Sequence, residues 1–185
     1  MANFTKKALA EQLKEMLQTK PMDKITVTDL VEACQVKRQT FYYHFQDIYD
    51  LLGWIYTTEA VESIKNSKSY DTWQQGLLII LEYVNNNKQL CINTSRSLGK
   101  EHLEMFLNNV LNVLIGDVVE EIARDYAIST KDKAFITKFY GYAFAGTLLD
   151  WIGNGMKAPC EEVANYISIT MEGNILAAIK RLSKK

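Results

Sequence analysis

The run Lys37-Arg38-Gln39-Thr40-Phe41-Tyr42-Tyr43-His44-Phe45 concentrates the chemistry of this chain. Phe41 and Phe45 stand four apart, so on a helix both rings leave from one side. With that side buried, Gln39 and Tyr43 point directly away from it, flanked by Thr40, Tyr42 and His44, and every outward side chain can hydrogen-bond. Lys37 and Arg38 fall in the first turn, where the positive end of the helix dipole adds to their attraction for phosphate. Arg38 can pair bidentately with guanine and Gln39 with adenine, while Thr40, Tyr42, Tyr43 and His44 suit phosphates or a thymine methyl group. The chemistry on offer is the reading of a DNA edge. Spacing alone fits a solvated face or a protein interface equally well, so a helical interaction module that docks a partner on this surface stands as the alternative.

So short a helix needs neighbours to hold it. Thr26 to Ala33 reads as a short helix with Thr26 as N-cap and Asp29 as the reciprocal acid of a capping box. An earlier helix from about Thr5 to Thr19 carries an apolar stripe of Phe4, Ala8, Leu13, Met16 and Leu17, with Pro21 just past its end. Asp47 can cap a fourth helix from Ile48 to about Ile64, whose apolar face is Leu51, Leu52, Ile55 and Tyr56. The first three form a tri-helical helix-turn-helix unit, whose second short helix enters the major groove. Lys65 to Asp71 is a polar connection. Helices are then expected at about Thr72–Asn86, Lys88–Ser97, Lys100–Tyr126, Asp132–Gly153 and Glu161–Leu182. The fold class expected is all-α with about nine helices, in two domains, residues 1–57 with the helix-turn-helix unit and residues 58–185 with the longer helices.

Composition agrees with that class. The 185 residues include only two prolines, against the roughly 5% of average usage, which leaves long stretches free to be helical. Three cysteines, Cys34, Cys91 and Cys160, are too scattered for a disulfide framework or a CxxC metal site. His44 and His102 are the sole imidazoles, so no metal site is expected. There is no nucleophile elbow, Gly-rich phosphate loop, HExxH or paired carboxylate beside a histidine, so neither an enzyme nor a cofactor is expected. The N-terminus interleaves charged and apolar residues, unlike a signal peptide, and no apolar run reaches membrane-spanning length. A cytoplasmic protein without membrane contact is the expectation.

The run Val36 to Phe45, followed by Leu51-Leu52, resembles the recognition-helix signature of the TetR family of bacterial transcription regulators, and the likeness extends over residues 5–56. The resemblance implies a TetR-like fold, with Thr26, Thr28, Tyr42 and His44 on the DNA backbone and Lys37, Arg38, Gln39, Thr40 and Tyr43 facing bases. It departs at two positions. Gln35 replaces the usual turn glycine and would have to adopt a left-handed conformation or shift the turn, and Ile48 replaces a lysine that grips phosphate. Within the family, the run Arg38 to Asp47 with Asp50 to Tyr56, then Tyr70, Trp73 and Gln74, is similar to the branch containing regulators of dihydroxyacetone kinase operons. Some members of that branch act as activators with a kinase-like partner protein.

The last two helices present apolar stripes suited to dimerisation. One stripe runs through Phe139, Tyr142, Gly146 and Leu149; the other includes Ile167, Met171, Ile175 and Ala178. The family resemblance implies a homodimer with a four-helix interface, and two heads so joined would bind double-stranded DNA at a palindromic operator. It also implies an effector pocket among the middle helices, lined here by Trp54, Trp73, Leu77, Tyr83, Phe106 and Tyr140, for a small molecule of unknown identity; a kinase-like partner protein is the other source of control. Net charge does not advertise any of this. Residues 1–57 hold 7 Lys plus Arg against 7 Asp plus Glu, and residues 58–185 hold 14 against 15. Attraction for DNA must therefore be local, at Lys37 and Arg38, with low non-specific affinity as its consequence.

Overall fold

Capping signals in the sequence decide where the short helices begin. A computed structural model describes residues 2–63 and 72–183; the expected connection at Lys65–Asp71, and Tyr70 within it, lie outside them. Among the described residues every regular element is helical. Helix α1 (Ala2–Leu17) is followed by a single 3-10 turn at Met22–Lys24, then by α2 (Val27–Ala33), α3 (Arg38–His44) and α4 (Ile48–Ser63). Next come α5 (Trp73–Asn86), α6 (Lys88–Ser95), α7 (Lys100–Ala123), α8 (Thr130–Gly153), α9 (Cys160–Met171) and α10 (Asn174–Leu182).

The Thr26 capping box forms as expected. Thr26 Oγ1 accepts from the Asp29 amide at 3.1 Å, and Asp29 Oδ2 accepts from the Thr26 amide at 2.8 Å. At the start of α4, Asp47 Oδ1 accepts from the Asp50 amide at 2.8 Å while Asp50 Oδ2 accepts from the Gln46 amide at 2.9 Å. Each arrangement satisfies amides that a helix start leaves without partners.

Between α2 and α3 the chain turns through Gln35 at φ 54°. The Gln35 amide donates to Glu32 O at 3.1 Å and the Val36 amide to Val31 O at 2.9 Å, the paired bonds of a Schellman helix end. That motif needs a left-handed residue at this position, and a side chain there costs about 1–2 kcal/mol.

The expected last helix, Glu161–Leu182, is divided. Glu172 leaves the helical region with ψ 121° and Gly173 takes φ 71°, so α9 stops and α10 starts afresh. Glycine inside an apolar pattern costs a helix only about 1 kcal/mol against alanine, so the pattern runs on through a site where the backbone breaks.

Packing sorts the chain into two compact units, Met1–Glu59 with Asn87–Phe106, and Ala60–Asn86 with Leu107–Lys185. A boundary at residue 57 omits residues 87–106 from the first unit, and their contacts show why they belong to it. Asn93 Nδ2 donates to Leu17 O at 2.8 Å, the Tyr56 hydroxyl donates to Thr94 Oγ1 at 3.1 Å, and Phe106 stacks on Tyr56 with ring centroids 4.8 Å apart. Cys91, on the same α6, is fully buried, which pushes its thiol up to about 12. In the second unit α5 packs on α9 and α8 on α10, around a core that includes Leu77, Ile80, Leu114, Ile115, Phe144 and Leu148. Gly141 lets α8 approach α7 closely: a Cβ there would collide with the Asn112 side-chain amide.

The left-handed Gln35 generates a stability prediction. Gln35→Gly removes the side-chain strain at the cost of a more flexible unfolded chain, so it should stabilise the protein by about 0.5–1 kcal/mol. Gln35→Ala, which keeps a Cβ, should gain nothing. Urea midpoints of the three proteins check this, and equal midpoints for wild type and the glycine variant would show that no strain is stored at the turn.

Candidate nucleic-acid interface

Phe41 is wholly buried and Phe45 nearly so, and this fixes the rotation of α3 about its axis. The Phe45 ring lies 5.9 Å from Phe41 and 6.0 Å from Trp54 of α4, measured between centroids. Lys6 of α1 places its Nζ 5.2 Å from the centre of the Phe45 ring and 5.8 Å from that of Trp54, a cation over two aromatic faces. Helices α1 and α3 also hold α2 between them by packing. Cys34, half-buried at the end of α2, turns its thiol toward Ala8 O at 3.7 Å, and burial raises its pKa.

The opposite side of α3 is open. Lys37, Arg38 and Gln39 are exposed, Tyr43 is 82% exposed and Tyr42 48%, while Thr40 and His44 are half-buried. Thr26 and Thr28 are exposed at the start of α2. Tyr43 and His44 meet edge to face at 4.9 Å. Arg38 Nη2 donates to the Tyr42 hydroxyl oxygen at 3.2 Å, with the guanidinium 5.6 Å from the Tyr42 ring centre. Ile48 is buried, so the position that the family pattern gives to a phosphate-gripping lysine serves the core of the head.

The six proposed pocket residues are divided between the two units. Trp54 and Phe106 belong to the first unit, whereas Trp73, Leu77, Tyr83 and Tyr140 belong to the second. Phe106 is spent against Tyr56, Trp54 against Phe45, and Leu77 is wholly buried. Tyr83 is half-buried on α5. Trp73 borders a cavity of about 260 Å³ with Val118, Met171, Gly173 and Ile175, and Tyr140 borders a different, open groove of about 350 Å³ between α8 and α9. Apolar periodicity records which residues are inside without saying which core they fill.

Of the dimer stripe, Phe139, Tyr142 and Gly146 are exposed and Leu149 is half-buried. Ile167, Met171 and Ile175 are instead buried within the single chain, and Ala178 is half-buried. The outward apolar residues of α9 are Tyr166 and Ile169, each 65% exposed. Tyr166 falls one residue before Ile167 and Ile169 two residues after it, both off the buried Val163–Ile167–Met171 stripe.

A tri-helical head presenting Arg38, Gln39, Tyr42 and Tyr43 outward on its second short helix, joined to a larger helical body, defines a helix-turn-helix transcription regulator. Residues 7–53 match the family profile described as bacterial regulatory proteins, tetR family, and residues 71–173, more than half of the chain, match one described as a transcriptional regulator C-terminal region. The chain belongs to the TetR family. It is 29% identical over 169 residues, 89% of each chain, to the HTH-type dhaKLM operon transcriptional activator DhaS of Lactococcus lactis subsp. lactis (strain IL1403). The solved structure titled dihydroxyacetone kinase operon activator DhaS is similar with a TM-score of 0.73 and 26% identity, over 97% of this chain and 98% of that one. The protein is thus a DhaS-like regulator and not an enzyme, and no described helix is long and apolar enough to cross a membrane.

The Thr26–Asp29 box carries a pH signature. Bonds from the Thr26 hydroxyl and amide hold the Asp29 carboxyl below its ordinary value. A lowered carboxyl stabilises the fold above its unfolded pKa, and that contribution is lost as pH falls through the folded value. The stability difference between wild type and Asp29→Asn should therefore be largest near neutrality and shrink on acidification. Unfolding midpoints at a series of pH values test it; a difference independent of pH would rule out a role for the ionised carboxylate.

Proposed function

We propose that this chain is a homodimeric operator-binding regulator that controls an operon of the kind its DhaS relatives control, as an activator responsive to a kinase-like partner protein or a small effector. The observation that carries the DNA-reading part is the outward set Arg38, Gln39, Tyr42 and Tyr43 on a helix whose rotation two buried phenylalanines fix. Lys37, Arg38, Gln39, Thr40 and Tyr43 face bases, and Thr26, Thr28, Tyr42 and His44 supply backbone contacts that set the register. Residues 1–57 supply the reading surface, with 87–106 packed onto it, and the rest of the chain serves regulation and dimerisation. A cytoplasmic location follows from that task.

The dimer reading rests on α8. Phe139 and Tyr142, with Gly146 beside them, remain outward on a helix that already buries Ile136, Phe144 and Leu148 inside the unit. Tyr166 and Ile169 extend this apolar surface onto α9, and the groove lined by Phe139, Ala143, Tyr166 and Thr170 gives a second copy a depression to fill. A self-complementary patch of protrusion and groove suits a twofold interface. Two heads held by one interface then bind half-sites about one helical turn, or a multiple of it, apart.

Selection from random duplexes tests the function. The wild-type protein should enrich an inverted repeat, and Arg38→Ala or Gln39→Ala should each cost about 1–3 kcal/mol and relax preference at one base pair per half-site. No sequence preference at moderate salt would refute operator binding. Phe139→Glu places a charge in the proposed interface. It should give a folded monomer by sedimentation, with operator affinity reduced by at least tenfold; an unaltered dimer would show that the interface lies elsewhere.

A further inference from the structure

Arg38 is already engaged before any DNA arrives. The i, i+4 spacing on α3 lets its Nη2 donate to the Tyr42 hydroxyl oxygen at 3.2 Å, and its guanidinium lies 5.6 Å from the centre of the Tyr42 ring. Both side chains are exposed, so this is a pairing of surface groups that burial does not force. The bond uses one N–H of the guanidinium and leaves the rest of the fork to meet a guanine edge. The Tyr42 hydroxyl accepts through a lone pair and keeps its own proton, which it can donate to a phosphate oxygen.

We propose that Tyr42 is a positioning residue for Arg38, and thereby determines sequence specificity at the base pair that Arg38 reads. The inference rests on the assignment of Arg38 to a base. A long, exposed arginine loses rotamer freedom when it is fixed on a base, and a partner that holds it beforehand reduces that loss. Cation–ring and hydroxyl contacts restrain the guanidinium in two ways, as a single contact could not. Tyr42 also joins two tasks: donation to a phosphate fixes the depth and register of α3, while acceptance from Arg38 refers the arginine to that same register. A tyrosine that only touched phosphate would contribute equally to every DNA sequence. One that sets an arginine contributes mainly where the arginine finds its base.

The test uses the full-length protein. A site enriched by wild type from random duplexes is competed against each of its single-base variants, for wild type, Arg38→Ala, Tyr42→Phe, Tyr42→Leu and the Arg38→Ala/Tyr42→Leu double variant. Arg38→Ala should lose about tenfold discrimination at one base pair. Tyr42→Leu should lose discrimination at that same pair, about fivefold or more, and leave the other positions ranked as in wild type. Tyr42→Phe, which retains the ring, should fall between, and the double variant should discriminate no worse at that pair than Arg38→Ala alone. A general loss of stability would lower binding to all variants alike, so the ratio isolates the positioning role. If Tyr42→Leu keeps wild-type discrimination at the Arg38 pair, Tyr42 does not position Arg38 and the proposal is overturned. If Arg38→Ala itself leaves every preference intact, the assignment of Arg38 to a base has failed, and the proposal falls with it by a distinguishable route.

Discussion

A helix of seven residues, as α3 is, has too few internal hydrogen bonds to persist alone, since isolated helices below about 12–15 residues are marginal in water. What holds it is the burial of Phe41 and Phe45, each contributing about 1.5–3 kcal/mol by transfer from water. The two rings also set orientation. A slip of one residue would turn the helix by about 100° and bring Tyr42 or His44 toward the core in their place. The exposure of Arg38, Gln39 and Tyr43 is therefore a consequence of where the phenylalanines go. Trp54 against Phe45 and Lys6 over both rings enclose the anchor from α4 and α1, which ties the reading surface to the rest of the head.

Features governed by near neighbours in sequence were the legible ones. The Thr26–Asp29 box, the Asp47 cap and the outward phase of α3 each depend on residues within one or two turns. At Gln35 the missing glycine left a left-handed residue and a shifted turn both open, and φ is 54°, the first of the two. Long-range packing was not legible. Nothing local marks Asn93 as a partner of Leu17 or Phe106 as a partner of Tyr56, so α6 and the first turns of α7 read as parts of the body although they pack with the head. The residues read as a pocket are divided between the two units, a division that nothing local marks either. Gly173 marks an intermediate case, since its low cost within a helix leaves both a continuous and a broken segment compatible with the apolar pattern.

Helix α8 carries apolar side chains on two sides: Ile136, Phe144, Leu148 and Trp151 turn into its own unit, while Phe139 and Tyr142 turn out beside the exposed Lys138. The outward pair is what the proposed dimer would cover. By contrast α9 divides its faces, and its inward stripe of Val163, Ile167 and Met171 leaves only Tyr166 and Ile169 to extend the outer surface.

The buried Ile48 and the evenly matched charges of the head bear on how such a regulator is shared out within a cell. A genome offers about 10⁶–10⁹ competing sites, and a strongly basic head would be held on them by counterion release alone. With 7 basic and 7 acidic residues in positions 1–57, and an isoleucine where the family pattern has a cation, the proposed reading head would gain little from DNA at large. A larger share of its copies would then stay unbound between encounters, and occupancy of an operator would respond to a modest number of molecules, because few would be sequestered elsewhere on the chromosome.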